Sequence, residues 1–228
     1  MKFSLIIPTL NEEKTIISCL LPLQPLRDKC EIIIVDAAEQ PMVNAPHAHL
    51  ADQIISSAKG RARQMNTGAD HALGDILIFL HADTYLPEHA LQLVEQHLGN
   101  KHWGRFDIQL SGDPFMLKII AWMMNRRSRL TGIATGDQAI FVTKVAFEKA
   151  GRYPDIALME DIALSKALKK IGPPLCLNSK VTSSGRRWQR YGVYRTILLM
   201  WSLRLGYLFG ADPELLSELY SRGQFWKP

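Results

Sequence analysis

Cysteine is scarce: three residues in 228, Cys19, Cys30 and Cys176, an odd count with no C-x-x-C spacing. That excludes a disulfide scaffold and a cysteine-built metal cluster, and it predicts reduced thiols in a cytoplasmic protein. Long apolar runs are also missing. A membrane-spanning helix needs about eighteen uncharged apolar residues, and the best candidate, Ile197 to Gly210, is broken by Arg204. The apolar stretch Phe3 to Pro8 is too short for a secretory leader and runs into Asn11-Glu12 rather than a small-residue cleavage site. No block of five like charges occurs and the net charge is only +5, too diffuse to imply nucleic acid. A mild basic excess suits anionic ligands such as phosphates, or an acidic lipid surface. Repeats and low-complexity tracts are lacking. With 47% hydrophobic and 21% charged residues, the composition excludes a disordered or collagen-like chain and supports a sizeable core.

The first half alternates short apolar runs with helical patterns. Phe3 to Ile7, Glu31 to Val35, Asp52 to Ser56 and Asp75 to Leu80 read as strands. Pro8 to Asn11 reads as a turn with Asn11 as N-cap of a following helix, and Gly60 to His71 reads as a helix. The strands are apolar on both faces, as in parallel sheets covered by helices. The predicted fold is a single α/β domain with one doubly wound, mostly parallel sheet. Ligands in such sheets bind at the carboxyl ends of the strands. Pro8 to Glu13, Asp36 and His81-Ala82-Asp83 each follow a strand, so they should converge on one edge.

The second half is less regular. Trp103 to Leu110 and Gln138 to Thr143 read as strands, and Phe115 to Asn125 and Glu160 to Ile171 as helices. Tyr191 to Phe209 and Pro213 to Tyr220, with Asp212 as cap, also read as helices. Thr182 to Gly185 reads as a mobile loop. The helices Phe115 to Asn125 and Tyr191 to Phe209 are apolar and flanked by arginines (Arg126, Arg127 and Arg129; Arg190, Arg195 and Arg204). Core or an interface with a second copy is the preferred reading; peripheral contact with a membrane is the other.

Four segments carry chemistry: Ile7-Pro8-Thr9-Leu10-Asn11-Glu12, Ile34-Val35-Asp36, Leu80-His81-Ala82-Asp83 and Met159-Glu160-Asp161. In this order the chain resembles the family-2 glycosyltransferases of GT-A fold, over roughly residues 1 to 190. Arg186-Arg187-Trp188 is similar to the family's basic-aromatic motif. The tail from Gly210 to Tyr220 and the His-Ala-Asp triplet look like a small bacterial branch often named for arsenosugar biosynthesis. The resemblance implies a nucleotide-binding half (1–100), an acceptor and catalytic half (101–190) and C-terminal helices (191–228).

It also implies an inverting, metal-dependent hexosyl transfer from a nucleotide sugar, UDP-linked in the simplest case, to an unidentified hydroxyl acceptor. Asp83, with His81 in place of the family's first acid, would hold Mn²⁺ or Mg²⁺ on the diphosphate; hard ions favour oxygen ligands, and imidazole favours Mn²⁺. Asp36 and Glu12 would hold the nucleoside, with Pro8, Thr9, Asn11 and Ala82 beside them. Ala37-Ala38-Glu39-Gln40 departs from the family's Gly-Ser-x-Asp, so the second acid there is absent or replaced by Glu39. Arg61 and Arg63 open a helix, where free N–H groups favour anions. Arg187 would balance leaving-group charge, and Trp188 would wall the donor or acceptor. Asp161 would be the general base, with Glu160 orienting it or touching the acceptor.

Each residue also has a plain structural reading. Asp83 caps the turn before Pro87, Glu12 and Glu160-Asp161 favour helix N-termini, and Arg186 to Trp188 form a solvated basic turn. Two rival functions stand beside the transferase. A nucleotidyltransferase would carry a glycine-rich basic loop after the first strand, which Pro8 to Asn11 lacks. A scaffold that kept the fold and lost catalysis is suggested by His81 and the altered second segment.

Overall fold

The computed structural model describes residues 2–39, 46–112 and 115–223. Its strands are β1 (Phe3–Thr9), β2 (Cys30–Asp36), β3 (Gln53–Ser56), β4 (Ile76–Phe79), β5 (Thr84–Tyr85), β6 (Trp103–Ser111), β7 (Phe141–Thr143) and β8 (Leu175–Ser184). The helices are α1 (Glu13–Leu20), α2 (Arg61–His71), α3 (Ala90–Leu98), α4 (Phe115–Thr131), α5 (Lys144–Lys149), α6 (Glu160–Ile171), α7 (Arg186–Tyr191), α8 (Val193–Leu208) and α9 (Pro213–Arg222). The strands form one sheet in the order β3-β2-β1-β4-β7-β6-β8-β5.

Side-chain alternation sorts the core into two layers. Leu5, Ile7, Ile32, Ile34 and Ile78 pack with α1, α3 and α4 on one face. Ile6, Ile33, Val35, Leu77 and Phe79 pack with α2, α5 and α6 on the other. A third, smaller cluster joins Ile162 of α6 to Leu199 and Leu203 of α8 and Leu216 of α9.

The parallel sheet expected from the first half is present as β3-β2-β1-β4. Beyond β4 the sheet is mixed. β7 runs antiparallel to both β4 and β6, while β6 and β8 are parallel. The short β5 leaves β4 and pairs antiparallel with β8 at the far edge. The turn between β4 and β5 therefore crosses from the middle of the curled sheet to its far edge, past β7, β6 and β8.

Several local expectations are corrected. Asn11 does not cap α1: it is exposed at φ +55, and Glu12 is the residue before the helix. An αL residue there turns the chain out of β1 before the helix begins. Thr182 to Ser184 belong to β8, paired with β5 at Thr84↔Ser183 and by a 3.2 Å bond from Thr84 Oγ1 to Ser183 Oγ, so they are not a loop. The helix read from Phe115 continues to Thr131. The last long helix is interrupted at Gly192, φ +82. Gln40 lies outside the described residues.

On α8, Leu199 and Leu203 are buried while Tyr194, Leu198, Trp201, Leu205 and Leu208 are exposed. The core reading thus holds for one face of this helix only. No helix among the described residues is long and apolar enough to cross a membrane.

Candidate active site

The ends of β1 and β2 are in register, Pro8↔Val35 and Thr9↔Asp36. Thr9 Oγ1 donates to Asp36 Oδ1 at 3.1 Å, and the Ala38 N–H donates to the same oxygen at 3.2 Å. The buried Asp36 carboxylate is thereby oriented at the strand end. Gln64 of α2 clamps the two strands, its Nε2 donating to the carbonyls of Thr9 (2.7 Å) and Val35 (2.8 Å). Sequence reasoning missed Gln64, although it shares a buried helical face with Ala62, Met65 and Ala69. Glu12 is half-buried and accepts a bond from the Thr15 hydroxyl.

His81, Ala82 and Asp83 form the turn out of β4, closed by the Thr84 N–H on the His81 carbonyl at 3.0 Å. Ala82 is buried. Asp83 is about a third exposed, and Arg186 Nη2 of α7 lies 3.5 Å from its Oδ2. Among the described residues the Asp83 side chain accepts no backbone bond, so it caps no turn. His81 packs on the turn at 136–138: a Cβ placed on Gly136 would lie 2.6 Å from its Nε2. That nitrogen is enclosed and has no hydrogen-bond partner among the described residues. Burial, then the charge of Arg61, push the imidazole down to about 3, so the ring is neutral.

Gly136 is the link to the opposite wall. Its N–H donates to Asp161 Oδ2 at 2.8 Å, while Oδ1 takes the Ile162 N–H at 2.7 Å. These two bonds hold the carboxylate at the start of α6. Its neighbour Glu160 is buried, with Arg61 Nη1 of α2 3.5 Å from its Oε1. Burial, then the charge of Asp161, raise Glu160 to about 7, against the pull of Arg61. Asp137 takes the Thr135 hydroxyl at 2.5 Å, and burial raises its carboxyl too. Thus Pro8, Thr9, Glu12, Asp36, His81, Asp83, Arg61, Glu160 and Asp161 all lie at the C-terminal edge of the sheet.

Other predicted residues are held elsewhere. Arg63 leaves this edge: its Nε is bound to both oxygens of exposed Asp155 at 2.8 and 2.9 Å. Arg187 stacks on the Tyr220 ring, 3.7 Å from its centroid, and donates to the Tyr220 carbonyl of α9. Its neighbour Arg186 is the cation that reaches Asp83. The reason is helical phase, because Arg186-Arg187-Trp188 opens α7 rather than forming a turn, and adjacent residues point about 100° apart. Trp188 is half-buried on the same helix.

For a divalent ion the donor set is sparse. Among the described residues no three His, Cys, Asp or Glu side chains converge. Mg²⁺ or Mn²⁺ bound through one or two carboxylates plus phosphate oxygens needs no such cage, and Asp83 fits that pattern. His81 does not: its Nε2 is closed off by Gly136, so the residue serves as packing between the two turns. A hollow of about 540 Å³ lined by Cys19, Leu23, Leu26, Tyr85, Leu86 and Leu91 lies between the segments after β1 and β5 and α3. None of the residues proposed for chemistry lines it.

Carboxylates gathered past the strand ends of a curled mixed sheet define the GT-A class of nucleotide-sugar transferase folds. The chain belongs to glycosyl transferase family 2, whose model matches residues 4–130. Its fold is similar to residues 1–349 of S. aureus TarS (TM-score 0.64, 16% identity, 86% of this chain and 64% of that one). A TarS structure with UDP-GlcNAc aligns at TM-score 0.64 and 16% identity over 82% of this chain and 59% of that one. The mannosyltransferase PcManGT from Pyrobaculum calidifontis, in complex with GDP-Man and Mn²⁺, aligns at TM-score 0.63 and 19% identity over 97% and 69%. The chain thus spans less than two thirds of the TarS fragment. No curated protein sequence matches it, and the closer resemblance to the arsenosugar-named branch finds no counterpart in these comparisons.

Proposed function

We propose that the protein is an inverting, metal-dependent glycosyltransferase that moves a hexosyl group from a nucleotide sugar, UDP-linked in the simplest case, to a hydroxyl acceptor. One observation carries this reading. Asp83 and Asp161, 78 positions apart by their numbers, are joined through two contacts: the His81 ring on Gly136, and the Gly136 N–H on Asp161. This chain of contacts supports placing a metal carboxylate and a base on neighbouring turns.

In this reading Asp36 and Glu12 hold the nucleoside, with Pro8, Thr9 and Ala82 as the floor. Asp83 would hold a divalent ion, which would supply positive charge against the diphosphate. Arg186, not Arg187, stands beside Asp83 to stabilise charge on the leaving group. The acceptor oxygen forms a bond to the anomeric carbon as the bond to the diphosphate oxygen breaks. The electron pair departs with the nucleoside diphosphate, and the hydroxyl proton passes to Asp161. Backbone N–H bonds on both Asp161 oxygens fix its direction, and Arg61 with Glu160 closes the wall behind it. TarS and PcManGT, whose structures hold UDP-GlcNAc and GDP-Man with Mn²⁺, support a nucleotide-sugar donor and a divalent ion.

Thermal shift against UDP, GDP and their sugars, with and without Mn²⁺, tests the reading. A ligand present at a hundred times its Kd stabilises the fold by about 2.7 kcal/mol. A metal-dependent rise with one nucleotide series is expected. No rise with any nucleotide in Mn²⁺ would refute the transferase.

A further inference from the structure

A helix that is apolar all round belongs inside a protein, and a surface helix carries one apolar stripe turned to the core. α8 fits neither case. Its inner face, Leu199 and Leu203, packs with Ile162 of α6 and Leu216 of α9. Its outer face is apolar as well: Tyr194, Leu198, Trp201, Leu205 and Leu208 are each more than half exposed. A contiguous apolar surface in water marks a place where something docks.

The spacing defines the shape of this surface. The five residues follow one another at intervals of four, three, four and three, which are the a and d positions of a heptad. A straight helix drifts only about 20° per heptad from that repeat, so over two heptads the five stay in one narrow seam. Leu199 and Leu203 fall at positions b and f, on the far side of the helix. A seam of this kind receives the side chains of a second helix.

Charge selects that helix and its direction. From Gly185 to Ala211 the chain holds five arginines and no acid. The seam starts beside Arg190 and Arg195 and ends just before Asp212 and Glu214, all four exposed. Arg195, Asp212 and Glu214 make no ion pair among the described residues. Two copies of α8 laid antiparallel bring the basic start of each alongside the acidic end of the other. Laid parallel, they set arginine on arginine. A two-fold axis across the helices gives the antiparallel pair, and two-fold symmetry is the commonest in homo-oligomers. A flat anionic lipid surface would attract the basic start of the seam and repel its acidic end.

We propose that α8 is a homodimer interface, two copies of this chain pairing antiparallel along the seam, with Leu198 against the partner's Leu208 and Trp201 against the partner's Leu205. The proposal does not depend on the transferase reading. The 16 residues of α8 are about 24 Å long. One such helix pair falls short of the roughly 800 Å² per partner of a standard interface, so the dimer is weak and forms with rising concentration.

Sedimentation equilibrium over a wide concentration range tests it and should show a reversible monomer–dimer exchange. Leu198→Glu combined with Leu205→Glu should raise the dimer Kd at least tenfold. The dilute, monomeric variant should melt no lower than the unaltered protein, because both side chains already lie in water; a core role would lower it. Arg195→Glu should also weaken the dimer. Trp122→Glu, at an exposed position of α4, should leave it unchanged. For direction, Leu198→Cys protein mixed with Leu208→Cys protein under mild oxidation should give a disulfide-linked dimer that neither variant nor the unaltered protein gives alone. Four results overturn the proposal: a monomer at every concentration, a dimer indifferent to the double Glu variant, a dimer lost in Trp122→Glu alone, or Leu198→Cys linking to itself. Flotation with phosphatidylcholine and phosphatidylserine vesicles that disappears in the double Glu variant would assign the seam to a membrane and overturn it too.

Discussion

The two ends of the sheet treat buried charge in opposite ways. At the N-terminal end, Glu31, the second residue of β2, is almost fully enclosed. Its carboxylate accepts bonds from Ser4 Oγ, the Leu73 and Gly74 N–H groups and Gln53 Nε2. At the C-terminal end, His81 Nε2, Gln138 Nε2 and two nitrogens of Arg127 are buried with no partner among the described residues, and Glu160 and Asp161 crowd one another. A satisfied buried group stabilises a fold; an unsatisfied one costs stability. The first end holds the domain together and the second is the proposed working edge.

That contrast breaks if substitutions at the two ends have the same effect. The largest change is expected from Asp161→Asn. Loss of a general base costs about 10² to 10⁴-fold in rate, so kcat should fall by at least about 10²-fold, while the amide oxygen keeps the Gly136 bond. Nucleotide affinity and melting temperature should be nearly unchanged. Next is Glu31→Ala, which strands several buried donors at about 1–3 kcal/mol each. Urea unfolding should show a loss of about 3 kcal/mol or more, with kcat intact on the folded fraction. A stable Glu31→Ala protein, or an unfolded Asp161→Asn protein, would reverse the roles given to the two ends.

Glu160 sharpens the contrast through pH. Its carboxyl is raised from an unfolded value near 4.3 to about 7, by burial and then by Asp161. Between those values the folded state binds a proton that the unfolded state has released. Stability is therefore full below the unfolded pKa, declines as pH rises toward 7, and stays lower above it. Glu160→Gln, neutral throughout, should flatten this slope and stabilise the protein at pH 8 by roughly 1–3 kcal/mol. Melting curves from pH 4 to 8 check it; a parallel slope in the variant would assign the dependence to other groups.

The same division governs how much was legible in the sequence. β1, β2 and β4 are buried on both faces, so their apolar runs and the acids after them, Asp36 and Asp83, stand out. The edge beyond β4 hides its order. β7 has three residues and β5 two, too few to show a period, and β8 ends in Thr and Ser that look like loop until β5 pairs with them. Within helices the limit was phase. Arg186 and Arg187 differ by one position, yet one meets Asp83 and the other Tyr220. Arg127 sits in a basic run read as a flank, although it lies seven residues from buried Ile120, on the inward side of α4.

The smallest expected effect tests whether such phase differences decide function. Arg61 and Arg63 open the same helix and were both expected to touch the donor. Only Arg61 turns to the working edge, beside Glu160; Arg63 spends its fork on Asp155 in solvent, where ion pairs contribute little. Arg63→Ala should leave the melting temperature, nucleotide affinity and kcat within about twofold of the unaltered protein, as a screened surface pair implies. Arg61→Ala leaves Glu160 buried without its cation, so its carboxyl should titrate still higher and transfer should fall. Calorimetry with nucleotide and Mn²⁺ on the two variants separates them. Equal losses would mean that α2 presents both arginines to the donor, and that Asp155 is a resting partner released on binding.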